Sequence, residues 1–158
     1  MSDKYMRGIA ALGNGKVDLV NDVPIPEIGP YEALIKVKSC GFCNGTDFHI
    51  IKGEMPIEVD NFPTLIGHEA VGDIVELGSK VRNYKIGERI LNPMVRIMPG
   101  TRYGCTWGGM CDYAYVQDRQ AMIDDGIEES QLLDRQLECV KIPEDFDAID
   151  GGNLVTLN

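Results

Sequence analysis

Residues 43–69 have the sequence CNGTDFHIIKGEMPIEVDNFPTLIGHE, and the interpretation of the chain starts from this stretch. It contains both histidines of the protein, His49 and His68, together with Cys43 and Glu69. Thiolate, imidazole and carboxylate groups are the side chains that bind zinc in proteins. The stretch therefore predicts a catalytic metal site, and the flanking segments are interpreted as the frame that builds it.

Short segments rich in Val and Ile, separated by Gly and Pro, lie on both sides of this stretch. Gly13-Asn14-Gly15 between two apolar runs predicts a β-hairpin over residues 5–20. Further strands are predicted at residues 33–39, 70–77, 110–116 and 140–143, and residues 84–91 are predicted to form a turn followed by a strand. The one helix predicted is Ile127–Leu137, because Leu133 and Leu137 have helical spacing. Many short strands of this kind are typical of an all-β barrel or sandwich.

Composition excludes several classes of function. A formal net charge of −10 leaves no basic cluster for nucleic acid or for an anionic membrane surface. No apolar run approaches the roughly 18 residues of a membrane span. The five cysteines are odd in number and irregular in spacing, which argues against a disulfide framework and predicts a cytoplasmic location.

The order of motifs resembles the N-terminal, GroES-like catalytic domain of the zinc-dependent medium-chain alcohol and polyol dehydrogenases. The stretches that carry the resemblance lie at residues 33–53, 62–81, 84–91, 108–116 and 140–147. The most specific of them is Gly67-His68-Glu69, followed by a β-branched strand and the Gly87-Glu88-Arg89-Ile90 turn. The resemblance implies a mainly β fold, a partly open barrel with a few short helices, as a single domain over residues 1–158.

The resemblance also implies roles for individual residues. Cys43 and His68 would bind the catalytic zinc, and Glu69 would be a ligand or a carboxylate next to the metal. Thr46 would contact the substrate oxygen and carry its proton, and His49 would pass that proton to solvent. Asp47 would hold the turn together by accepting hydrogen bonds.

The chain departs from the family pattern at three places. One residue is inserted between Cys43 and the Thr46-Asp47 pair, so the turn must bulge if Cys43 binds metal. No Cys or Glu occurs at residues 150–158, where the family has its third ligand. Either that ligand lies further on in a longer protein or the site uses Glu69 and water instead, with Asp150 as a weak substitute. Cys105 stands alone where many relatives have four cysteines, so no structural zinc is expected.

The remaining thiols and loop aromatic residues have ordinary explanations. Cys40, Cys111 and Cys139 are interpreted as packing residues. Trp107 and Tyr103 either line a substrate cleft or, as is commoner for loop aromatics, pack on the barrel.

No Gly-x-Gly-x-x-Gly sequence follows a strand, so the nucleotide-binding domain of the family is absent from these residues. We therefore expect a truncated part of a longer protein. The implied activity is oxidation of a small alcohol, polyol or sugar linked to NAD or NADP, with zinc as the second cofactor and a possible homo-oligomer at full length. Two alternatives stay open at this point: a zinc-less reductase of the same superfamily, and a non-catalytic GroES-like binding module.

Overall fold

The computed structural model describes residues 4–55, 62–132, 139–143 and 145–155. Within these ranges the chain forms nine strands and three α-helices. The strands are β1 Tyr5–Ala11, β2 Val17–Pro24, β3 Glu32–Gly41, β4 Thr64–Leu65, β5 Glu69–Leu77, β6 Arg89–Leu91, β7 Gly104–Cys105, β8 Tyr113–Gln117 and β9 Val140–Ile142. The helices are α1 Thr46–Lys52, α2 Arg119–Asp124 and α3 Ala148–Val155.

The strands form two sheets, so the barrel is open rather than closed. One sheet has the order β2-β1-β4-β7 and the other the order β8-β3-β5-β6-β9. Neighbouring strands are antiparallel except for β4 and β7, which are parallel. This arrangement confirms the mainly β, partly open barrel with a few short helices.

The predicted hairpin at the start of the chain is confirmed. Gly13 and Gly15 have φ angles of 75° and 79°, which glycine adopts without steric cost. The amide of Leu12 donates a 2.9 Å hydrogen bond to the carbonyl oxygen of Lys16 and closes the turn. β1 and β2 are therefore joined in the register that the turn sets.

The pairing of β3 with β5 places the ends of two strands side by side. Gly41, the last residue of β3, lies opposite Glu69, the first residue of β5. Helix α3 packs across the same two strands, with Gly151 and Gly152 buried against them. The residues that follow β3 and precede β5 consequently meet at one end of the sheet.

The apolar core lies between the two sheets and under α1. Its largest group of buried side chains comes from both sheets. The members of this group are Met6, Ala10, Val20, Val23, Leu65, Val95, Tyr103, Cys111 and Ala114. Among the described residues, no helix has the length and apolar character needed to cross a membrane.

Two details of the predicted secondary structure are wrong. The strand expected at residues 110–116 begins only at Tyr113. Met110 lies at the other sheet instead, where its carbonyl oxygen accepts a hydrogen bond from the amide of Ile9 and its amide donates one to the carbonyl oxygen of Ile66. The helix expected over residues 127–137 is not formed in its described part, which has only a 3-10 turn at Glu129–Gln131. Residues 133–138 lie outside the described ranges. Helices α1, α2 and α3 were not predicted.

Candidate metal centre

The side chains of Cys43, His68 and Glu69 come together at the end of the β3–β5 pair. One potential ligand atom from each residue lies within 4.8 Å of the other two. Cys43 and His68 are half-buried and Glu69 is buried. In the part of the chain that the structure describes, this is the one group of three such side chains that could hold a metal ion.

Glu69 reaches this position because Gly41 has no side chain. A Cβ atom at residue 41 would collide with the Oε2 atom of Glu69 and lie 3.2 Å from its Cβ atom. The two residues face each other across the strands, so the carboxylate occupies the space that any other residue at position 41 would fill. Sequence reasoning missed this requirement, because it depends on the strand register.

The inserted residue near Cys43 is accommodated in a short turn that leads into α1. The amide of Asp47 donates a 3.1 Å hydrogen bond to the carbonyl oxygen of Cys43. The amide of His49 donates a 3.4 Å hydrogen bond to the carbonyl oxygen of Gly45. The extra residue thus lies in the turn that precedes α1, which has Gly45 as its N-cap. Cys43 stays within reach of His68 and Glu69 despite the insertion.

Asp47 holds this turn against the segment before His68. Its side chain has no solvent exposure. The Oδ2 atom accepts a 3.0 Å hydrogen bond from the amide of Cys43, and the Oδ1 atom accepts one of 3.2 Å from the amide of Gly67. One carboxylate therefore ties together the two chain segments that carry the candidate ligands.

Three side chains surround the imidazole of His68. Its Nδ1 atom is buried without a hydrogen bond and lies 3.6 Å from the Oδ1 atom of Asp47. Its Nε2 atom lies 3.9 Å from the Oε1 atom of Glu69. The indole ring of Trp107 lies against the imidazole, with ring centroids 5.1 Å apart. The Nε2 edge therefore faces the carboxylate of the cluster.

The electrostatics of the cluster favour the charged forms of His68 and Cys43. The carboxylate of Asp47 raises the pKa of His68, and the charges of Cys43 and Glu69 add to this effect against the opposing effect of burial. Burial acts to raise the pKa of Cys43, but hydrogen bonds from Thr46 and Gly45 and the nearby His68 outweigh it, so the pKa is lowered. A thiolate at Cys43 is the form that binds metal.

The two residues expected to move a proton occupy the surface side of the cluster. Thr46 is half-buried at the start of α1, and its amide donates a 3.3 Å hydrogen bond to the Sγ atom of Cys43. The side chain of His49 is 52% exposed, and its Nδ1 atom lies 3.4 Å from the Oε2 atom of Glu54. Thr46 is thus next to the candidate thiolate, whereas His49 contacts solvent.

Several other residues considered at the sequence level lie outside the cluster. Asp150 is exposed on α3 and does not belong to the group of candidate ligands. Tyr103 is buried in the core and donates a hydrogen bond from its hydroxyl to Asp22. All five cysteines are free, and burial raises the pKa of Cys40 to about 12.

The donor set fits zinc. One thiolate, one imidazole and one carboxylate match the ligand types that zinc takes, and three protein ligands leave a fourth position for water or substrate. The buried Nδ1 atom of His68 faces a carboxylate, which is the usual second interaction of a histidine bound to zinc. The residues present are therefore chemically suited to the metal.

The fold agrees with a comparison against known protein families. The family described as the alcohol dehydrogenase GroES-like domain matches residues 29–124. The chain belongs to this family. The match includes Cys43, His68 and Glu69 and ends with α2.

Curated relatives of this GroES-like domain are dehydrogenases. An alcohol dehydrogenase of Cupriavidus necator is 41% identical over 86 residues, which are 54% of this chain and 22% of the relative. An L-threonine 3-dehydrogenase of Chelativorans sp. (strain BNC1) is 46% identical over 69 residues, which are 43% of this chain and 20% of the relative. The matched segments are about a fifth of each relative.

Solved structures give the same family. A zinc-binding dehydrogenase of Sinorhizobium meliloti, solved bound to NADP, is 28% identical with a TM-score of 0.63 over 95% of this chain. The 2R,3R-butanediol dehydrogenase of Bacillus subtilis is 25% identical with a TM-score of 0.64 over 95% of this chain. The GroES-like domain covers 42% and 44% of these two proteins, respectively.

Proposed function

We propose that this GroES-like domain is the zinc-binding catalytic domain of a dehydrogenase that oxidises a small alcohol, polyol or sugar and reduces the corresponding carbonyl compound. The nicotinamide cofactor, NAD or NADP, would be bound mainly by a further domain. The observation that carries this proposal is the convergence of Cys43, His68 and Glu69 within 4.8 Å on the family's fold.

Cys43, His68 and Glu69 would hold the zinc. Bound there, zinc would supply a Lewis acid that polarises the substrate oxygen and lowers the pKa of its hydroxyl. Asp47 orients the imidazole of His68 through the Nδ1 edge and fixes the turn of Cys43 through its amide. This leaves the Nε2 edge of His68 and the thiolate of Cys43 directed toward the centre of the cluster.

The proton of the alcohol would leave through Thr46 and His49. Thr46 is next to Cys43 and is half-buried, so its hydroxyl is within the region where a substrate oxygen would bind. His49 lies one helical turn further, at the surface. The exposed imidazole of His49 can therefore exchange the proton with water.

Metal binding tests the first part of this proposal. The 158-residue chain is stripped of metal and titrated with cobalt(II), a substitute for zinc whose thiolate absorption band reports on a cysteine ligand. We expect one bound ion per chain with this band, and loss of the band in Cys43→Ala and of tight binding in His68→Ala. Cys105→Ala is the matched control for loss of a thiol outside the cluster, and it should bind cobalt as the parent does.

The outcome also separates the alternatives. A parent chain that binds neither zinc nor cobalt would contradict the proposal and favour a zinc-less reductase or a non-catalytic module. We further expect that the isolated 158 residues do not turn over NADH or NADPH with any alcohol or aldehyde, because they lack a Gly-x-Gly-x-x-Gly sequence. Measurable turnover by the isolated chain would contradict this expectation. Homo-oligomerisation and a cytoplasmic location stay predictions.

A further inference from the structure

Trp107 is the only tryptophan of the chain, and main-chain hydrogen bonds fix its segment beside that of His68. The amide of Thr106 donates a 3.3 Å hydrogen bond to the carbonyl oxygen of Leu65. The amide of Gly109 donates one of 2.7 Å to the carbonyl oxygen of Gly67. The amide of Met110 bonds the carbonyl oxygen of Ile66 at 3.0 Å. Residues 106–110 and 65–67 are consequently held against each other on both sides of Trp107.

This close approach requires glycine on both segments. A Cβ atom at Gly67 would lie 2.7 Å from the amide nitrogen of Met110, and one at Gly109 would lie 3.0 Å from the carbonyl oxygen of Gly67. Gly67 and Gly108 also have positive φ angles of 95° and 74°. The local sequence is therefore adapted to bring the two segments into contact.

The contact places the indole beside the imidazole in a tilted arrangement. The ring centroids of Trp107 and His68 are 5.1 Å apart and the rings are inclined by 43°, within the range of packed aromatic pairs. Asp47 faces one edge of the imidazole, but a contact at one edge leaves rotation about that contact possible. The indole limits this freedom because it occupies space on one side of the imidazole.

We propose that Trp107 is a positioning residue for His68, which holds the plane of the imidazole so that its Nε2 atom is directed at the metal position. This inference rests on the proposed function, since it assumes that His68 binds the metal. It assigns to Trp107 a role in metal affinity that goes beyond filling the core.

The test compares cobalt affinity in four forms of the 158-residue chain: the parent, Trp107→Leu, Trp107→Phe and Ile9→Ala. Leucine fills part of the space without a flat ring, and phenylalanine keeps a ring. Ile9 packs in the same apolar group as Trp107 and is the control for a general loss of packing. Each form is first checked for folding by circular dichroism.

We expect Trp107→Leu to weaken cobalt binding by about tenfold, in line with the loss of a group that orients a metal ligand. Trp107→Phe and Ile9→Ala should bind within about twofold of the parent, since neither removes the orienting ring. Equal affinity of Trp107→Leu and the parent would overturn the inference, and so would an equal loss in Ile9→Ala. Either result would leave the proposed function standing, whereas a parent that binds no cobalt would refute that function itself.

A second measurement needs no variant and covers the case in which Trp107→Leu does not fold. Cobalt bound by His68 lies close enough to the indole to quench its fluorescence. We expect the emission of the parent to fall with the same midpoint as the rise of the thiolate absorption band. Emission that does not change while the band develops would overturn the inference.

Discussion

The Nδ1 atom of His68 lies 3.6 Å from the Oδ1 atom of Asp47, a carboxylate with no solvent exposure. The same carboxylate accepts hydrogen bonds from the amides of Cys43 and Gly67. Two candidate ligands that are 25 positions apart in the chain therefore share one buried support. The geometry of the cluster depends on a residue that is not itself a ligand.

Replacement of this support should weaken metal binding without removing a ligand. We expect Asp47→Asn to lower zinc affinity by about tenfold or more, because the neutral amide holds the imidazole less firmly and cannot accept with both of its ends. Competition with a chromogenic chelator measures the affinity. Asp112→Asn, which changes a carboxylate paired with Arg7, is the control and should bind as the parent does. An Asp47→Asn chain with parental affinity would contradict the prediction.

The lack of a side chain at Gly41 should be as important for zinc affinity as the carboxylate of Glu69, which lies opposite it. We expect Gly41→Ala to lower zinc affinity by about tenfold, because the new methyl group displaces the carboxylate of Glu69. Gly45→Ala is a close control, since a Cβ atom there would lie 3.8 Å from the Sγ atom of Cys43, an ordinary contact distance. Parental affinity in Gly41→Ala would show that the metal does not need Glu69 in its present position.

Alkylation should distinguish the thiols of the chain. The pKa of Cys43 is lowered and its side chain is half-buried, whereas burial raises the pKa of Cys40 to about 12 and also raises that of Cys111. Since the thiolate is the reactive form, iodoacetamide should modify Cys43 well before Cys40 or Cys111. Peptide mass spectrometry over time measures this order, and added zinc should protect Cys43 selectively. Equal rates at Cys43 and Cys40 would contradict the prediction.

Asp118 should make the stability of the domain depend on pH in the acid range. This buried carboxylate accepts hydrogen bonds from the amides of Arg82, Asn83 and Ala121, at 2.7, 2.8 and 3.0 Å. Burial acts to raise the pKa of Asp118, but these bonds outweigh it and the pKa is lowered. The stabilisation is therefore complete above the unfolded pKa of about 4 and is lost as the pH falls through the folded pKa.

The corresponding variant is Asp118→Asn. We expect it to lower the free energy of unfolding at pH 7 by about 2 kcal/mol, since hydrogen bonds to a charged acceptor are lost. Its stability should also vary less than that of the parent below about pH 4, because it lacks the titrating group. Urea denaturation across the pH series measures both effects. A variant whose stability falls as steeply with acid as that of the parent would contradict the assignment.

The sequence was sufficient for the class of fold, because this rests on local patterns, and three residues that it singled out, Cys43, His68 and Glu69, lie together in the structure. Alternating apolar residues and the Gly13-Asn14-Gly15 turn predicted strands. The side chains of a β-strand alternate between its two faces whichever strand it pairs with, so this pattern is visible in the sequence alone. The helix α1 was missed because its start lies in a Gly- and Asn-containing turn, where local propensity favours a loop. Asp47 in this helix also accepts a hydrogen bond from the amide of Gly67, 20 residues away, which local propensity does not reveal.

The supporting contacts of the cluster could not be predicted for a similar reason. Gly41 lies opposite Glu69 only in one register of the β3–β5 pair, and that pair contains two register shifts. Trp107 reaches His68 only because residues 106–110 cross from one sheet to the other. Both relationships belong to tertiary structure, where residues distant in the chain determine each other's surroundings.

The close packing of α3 has a mechanical consequence. A Cβ atom at Gly152 would lie 3.3 Å from the carbonyl oxygen of Glu69 and 3.5 Å from the amide nitrogen of Gly41. The helix backbone thus rests on the main chain of a candidate ligand, with no side chain between them to absorb a displacement. The position of α3 therefore constrains the main chain at the ends of β3 and β5, from which the side chain of Glu69 extends.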